Sequence, residues 1–191
     1  MNFYLLALFI HILGVIMLFV AIGFEWTSLL RLQRAQTIAQ VYEYTGLLTF
    51  QTFFLGAGVL LAILTGIYMT IIKWSWGTGW IDIALLIIVM DGILAARINL
   101  PGLKAIREAA QISETASSSG NISQQLEFMI SQPVLCISVQ IHAITSLGIV
   151  FLMSVKPELP GALIAFAASL LVSFIAAQLI RRGTPQTVPN I

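Results

Sequence analysis

Charge is what this sequence has least of. Asp, Glu, Lys and Arg make up 9% of its 191 residues, against about 25% in an ordinary soluble domain, which excludes water as the main solvent of the folded surface. The charges nearly cancel to a net +1, with no basic stripe, so a nucleic-acid partner, which needs rows of Lys and Arg against phosphate, is excluded as well. Cysteine is almost missing. Cys136 lies alone inside an apolar run, so it forms no internal disulfide and carries no information on redox compartment. Also lacking are a nucleophile with its base, a glycine-rich phosphate loop and an H-E-x-x-H zinc set. Those absences weigh against a hydrolase or an ATP-driven pump and tilt the reading away from an enzyme. A polar stripe along a pore is missing too, which leaves a copper or small-solute transporter as a lesser reading.

What the chain has instead is apolar length. Hydrophobic residues make up 59% and the mean hydropathy is +0.98. A helix needs about 20 mostly apolar residues to cross a hydrocarbon core of roughly 30 Å. Five stretches qualify, at about 3–27, 47–72, 80–98, 133–155 and 161–180. Helices are expected because a lone strand would leave backbone groups unpaired in lipid. The first run lacks a basic start and a small-x-small cleavage site before Glu25 and Trp26, and is expected to be a retained helix rather than a signal peptide. The expected fold is therefore all-α: one bundle of five transmembrane helices over 1–183 in a lipid bilayer, with the bacterial inner membrane as the natural location, followed by a disordered tail at 184–191.

Orientation follows from the basic residues, which cytoplasmic loops hold in excess. Arg31, Arg34, Arg97, Lys104, Arg107, Arg181 and Arg182 fall on one side, and only Lys73 and Lys156 on the other. This favours the N-terminus outside and the C-terminus in the cytoplasm. Trp74, Trp76 and Trp80 gather at the expected outer interface, where amphipathic rings settle. The segment 101–132, broken by Ser117, Ser118, Ser119 and Gly120, suggests a cytoplasmic helical hairpin. Leu103, Ile106, Ala110 and Ser113 there suit a helix lying on the membrane or capping the bundle, and 31–46 has a similar look. Gly161, Ala165, Ser169, Ser173 and Ala177 recur every four residues, as do Gly58, Ala62 and Gly66. Such faces let backbones approach closely and hold a bundle or a homo-oligomer together.

Ionisable groups in hydrocarbon cost on the order of several kcal/mol unless partnered, so each is a functional candidate. They are His11, Asp91 and His142, together with Gln140; Glu25, Gln51 and Gln178 fall nearer the inner ends. At about 1.5 Å of rise per residue, Asp91 lies roughly 10 Å from the inner face, His142 roughly 13 Å and His11 roughly 24 Å. Three arrangements follow. Asp91 and His142, matched in depth, pair either as part of a cofactor site or proton relay or only to set helix register. His11 and His142 bind a b-type haem between the first and fourth spans, against a depth mismatch of roughly 10 Å. Or His11 with Met69 and Met153 forms a soft Cu(I) site, where methionine as ordinary filler is the plainer explanation.

His11-Ile12-Leu13-Gly14 followed by Gly23-Phe24-Glu25-Trp26 resembles the first span of small bacterial membrane proteins of the copper resistance D type and of the oxygen-independent protoporphyrinogen oxidase type. Through Leu64-Thr65-Gly66 and Met153-Ser154-Val155-Lys156-Pro157 the chain is more similar to an uncharacterised family of predicted integral membrane proteins, over about 3–159. The resemblance implies a helical bundle and a role for His11 toward haem, porphyrin or copper. The oxidase type carries a lysine in a later span, and this chain has none there. The functional expectation is thus a membrane protein binding haem or a metal through His11 and His142, with a non-catalytic scaffold as the competing class.

Overall fold

The structure is a computed structural model and describes residues 2–116 and 122–183. The serine-glycine break at 117–120 and the tail at 184–191 lie outside the described residues. Every regular element among those described is helical: α1 (Phe3–Leu32), α2 (Ile38–Thr45), α3 (Leu48–Lys73), α4 (Gly79–Leu94), a π-helical turn (Ala95–Asn99), α5 (Leu100–Ala116), α6 (Gln124–Ile130), α7 (Pro133–Val155) and α8 (Leu159–Gly183).

The starts and stops have local causes. The Asn2 side chain accepts a hydrogen bond from the Tyr4 backbone and caps α1, as Thr37 and Ser123 cap α2 and α6. Pro133 opens α7, where its missing N–H removes no helical bond. At the far end Lys156 adopts a left-handed conformation (φ 52°) and Pro157 follows, so the helix cannot continue and the chain turns into α8.

Among the described residues four helical stretches are long and apolar enough to cross a membrane: Phe3–Leu32, Ile38–Lys73, Gln124–Val155 and Leu159–Leu179. The expected third span at 80–98 differs. Its α-helical part, α4, has 16 residues, roughly 24 Å, and then widens into the π-turn that carries it on into α5. A crossing by this segment therefore does not follow from the length of α4 alone. It nevertheless runs beside α7 from end to end. A Cβ on Gly79 would sit 2.6 Å from Leu159, just past the end of α7. Asp91 meets Thr145 halfway along, and a Cβ on Gly102 would sit 3.1 Å from Leu135 near the start of α7.

Small residues set the closest contacts. A Cβ on Gly14 would lie 2.8 Å from the Ala62 nitrogen, and one on Gly58 would lie 2.9 Å from the Gly14 oxygen, so α1 and α3 touch backbone to backbone. The small face of α8 is likewise used within the chain: Ser173 and Ala177 are buried, and Ser169 packs where a Cβ on Gly148 of α7 would lie. Part of the face from Gly161 to Ala177 is thus packed within the chain, against α7 at Ser169 and against α4 near Ala165.

At one end a capping layer forms. Leu103, Ile106 and Ala110 of α5 bury against Leu29 and Leu32 of α1, Val41 of α2, Leu126 of α6 and Leu135 of α7. Arg107 donates to the Thr45 carbonyl that ends α2 and stacks over Tyr42. Of the two placements expected for the 101–132 helix, on the membrane or capping the bundle, the packing is that of a cap. On the outside, large apolar side chains such as Phe9, Leu60, Val89 and Ile164 stand exposed at 58% or more, a surface that suits acyl chains rather than water.

Candidate functional site

Two compartments, stacked along the bundle, hold the candidate residues. The one nearer the N-terminal end of α1, called outer for that reason, is a cavity of about 410 Å³ between α1, α3, α4 and α7, with mainly apolar walls. That size lies within the range of small-molecule sites, about 300–1,000 Å³. His11 lines it together with Met69, Met153 and Trp74, Trp76 and Trp80. His11 is held in one orientation. Its Nδ1–H donates to the Ala62 carbonyl at 2.9 Å, with Thr65 Oγ1 at 3.3 Å. A carbonyl only accepts, so the proton sits on Nδ1 and Nε2 is left as a free lone pair. Gly66 lies beside the ring, where a Cβ would make ordinary contact at 3.4 Å. Cations border the mouth. Lys156 lines the cavity and lies 4.9 Å over the Trp74 ring, while Lys73 lies 4.9 Å over the ring of Tyr4, another lining residue.

The three soft ligands proposed for copper thus share one cavity, but not one height. Read from the α1–α3 and α1–α7 contacts, Met69 attaches about 7.5 Å outward of His11 and Met153 about 4.5 Å inward of it. Two sulfurs attached roughly 12 Å apart do not form a ready-made site for one ion, which needs bonds of about 2.3 Å. Among the described residues no group of three His, Cys, Asp or Glu gathers as metal ligands either.

The inner compartment holds the rest. His142 Nδ1 meets Glu25 Oε2 at 2.8 Å, with both side chains buried. Asp91, expected to be the partner of His142, is instead bonded by Thr145 Oγ1 (2.8 Å to Oδ1, 3.0 Å to Oδ2) and by Ser146 Oγ at 3.5 Å. The depth match was right and the direct partner was not. Glu25 is the carboxylate that reaches the ring; α1 continues to Leu32, five residues past its expected end, so Glu25 lies about two turns inside the helix. The same pairing separates the two histidines. His11 and Glu25 share α1 and lie about 21 Å apart along it, so His11 and His142 cannot be the two axial ligands of one iron.

Several buried polar atoms have no partner: Glu25 Oε1, Ser28 Oγ, Ser138 Oγ, both side-chain polar atoms of Asn99, and those of Gln140. None of the serines stood out in the sequence, because serine is common in membrane helices, and Asn99 became visible only through the π-turn that buries it.

Apolar outward faces and ionisable groups confined between long apolar helices together define a helical integral membrane protein. The chain belongs to the family of predicted integral membrane proteins DUF2269, whose model matches residues 5–157. Helix α8 follows that matched region. Neither the curated proteins nor the solved structures include a match.

Proposed function

We propose that this protein crosses the membrane five times, with its N-terminus outside, and uses the outer cavity to hold an apolar, anionic ring cofactor, b-type haem being the case to test, in a redox role. The fifth crossing is α4 with its π-turn. Support for it comes from its contacts with α7 at both ends and the middle, since a segment lying along the whole of a spanning helix shares its depth.

The observation that carries the cofactor reading is His11. An imidazole whose Nδ1–H is tied to a backbone carbonyl presents Nε2 as a ligand of fixed direction, the arrangement found at metal-ligating histidines. Around it the chemistry is that of an amphiphile: aromatic and aliphatic walls for a flat apolar body, and Lys73 and Lys156 at the mouth for carboxylates. Met153, about 4.5 Å from the height of His11, is the residue that would join His11 in holding the iron. Bound haem would supply one-electron chemistry. The protein's own part is to orient the ring through His11, exclude water with the tryptophans and hold the acidic edge at the interface.

The test is an absorption spectrum of the purified protein, with metal analysis of the same sample. A Soret band that moves on dithionite reduction, and is lost in His11→Ala, is expected. Colourless, metal-free protein that gives no saturable spectral change with haemin would overturn the reading and leave the scaffold class, in which the buried polar residues only set helix packing. Copper is second: His11, Met69 and Met153 line one cavity, but the two sulfurs would have to close from attachment points roughly 12 Å apart. Stoichiometric copper in the metal analysis would promote it over haem.

A further inference from the structure

The inner compartment does not have enough positive charge. It contains two carboxyl groups, Glu25 and Asp91, and one imidazole, His142; among the described residues no Lys or Arg pairs with any of them. Desolvated carboxylates require compensation. A proton placed on one of them would balance charge but would leave the unpartnered oxygens as they are.

Those oxygens lie at nearly one depth. The α1–α7 register is fixed by Glu25 with His142 and by Gln33 Nε2 with Cys136 Sγ at 3.0 Å, which sets Ser28 level with residues 139–141. The α4–α7 register, fixed by Asp91 with Thr145 and by Gly102 with Leu135, sets Asn99 level with residues 137–138. Ser28, Asn99 and Ser138 therefore lie within about three residues of one depth on α1, the π-turn and α7, with Glu25 about one turn outward of Ser138. Glu25, Ser28, Asn99 and Ser138 are each at most 2% exposed, and each keeps an oxygen without a partner. Gln140 is also unpartnered, but two positions from His142 on a helix it faces another side.

We propose that Glu25 Oε1, Ser28 Oγ, Ser138 Oγ and Asn99 Oδ1 form a binding site for a hard monovalent cation of the sodium class. The donors are all oxygen, which selects hard over soft ions. Glu25 contributes the charge while its other oxygen is held by His142, so the carboxylate is oriented before the ion arrives. The wide turn at Ala95–Asn99 contributes Asn99, in keeping with the placing of π-turns at functional positions. One positive charge supplies the missing compensation; the Asn99 amide N–H, which a cation does not satisfy, is left to bond a water on the ion.

The site lies about 21 Å from His11, so the inference stands apart from the cofactor reading. Its test is the melting of the purified protein in detergent, followed by tryptophan fluorescence, in sodium, potassium, lithium or choline chloride at equal ionic strength. A saturable rise of several degrees with sodium over choline is expected, reduced at least tenfold in apparent affinity in Glu25→Gln, Ser138→Ala and Asn99→Ala. The serine and asparagine variants leave the Glu25–His142 pair intact, and circular dichroism checks that they fold. Saturable stabilisation by potassium or lithium in place of sodium supports the monovalent site equally. Identical melting in all four salts, stabilisation by calcium or magnesium alone, or an undiminished sodium response in Ser138→Ala and Asn99→Ala would overturn it.

Discussion

Glu25 and His142 illustrate how a buried pair is tested from one side and from both. Replacing Glu25 by Ala leaves the Nδ1–H of His142 buried with no acceptor, and breaking such a pair costs on the order of 3–5 kcal/mol. Removing both groups, as in Glu25→Leu with His142→Leu, removes the orphan along with the attraction, and recovers most of that loss. Unfolding of the two single variants and the double variant in detergent measures the coupling; additive losses would mean that the 2.8 Å contact contributes nothing. This pair also marks how far the residues were legible. His11, Asp91 and His142 announce themselves, since an ionisable side chain inside an apolar run is rare in any membrane helix. Which helices adjoin is not written in such a run, and so Glu25 displaced Asp91 as the partner of His142. Thr145 and Ser146 stayed hidden because hydroxyls can bond their own helix, as Thr145 also does to Ile141.

Among the elements, the long apolar helices were readable from length and composition, because lipid imposes both. The cap was readable too. Leu103, Ile106 and Ala110 recur at helical spacing and are the residues of α5 that become buried. The π-turn was not, since one wide turn leaves no periodic trace, and it makes α4 shorter than the span expected at 80–98. The contact of α1 with α3 gives the clearest element-level prediction. A Cβ on Gly14 or Gly58 meets backbone atoms of the other helix at 2.8–2.9 Å, and backbone cannot swing aside as a side chain can. Gly14→Ala and Gly58→Ala should each cost about 1–3 kcal/mol. Gly56→Ala, with nothing within 4 Å of its Cβ, should be neutral or slightly stabilising. Melting of the three variants in one detergent ranks them, and a Gly56 variant as damaged as the others would refute the close approach as the cause.

For the whole molecule the proposed orientation has a direct check. In a Cys136→Ala background, Lys73→Cys and Lys104→Cys place single thiols at exposed positions near opposite ends of the bundle. A membrane-impermeant maleimide should label the first in intact cells and the second only after permeabilisation; labelling of both, or the reverse order, would discard the topology. The stacking of the two compartments has an electrical consequence. Ile88 belongs to the wall of the outer cavity and Asp91 to the polar interior, roughly 4.5 Å further along the same helix. Where water fills both, the insulating layer shrinks from the full width of the bilayer to about a single turn of α4 and its neighbours. The membrane voltage, about 2.3 kcal/mol per unit charge per 100 mV, then drops mostly across that thin partition, and any charge passing between the two chambers feels nearly all of it.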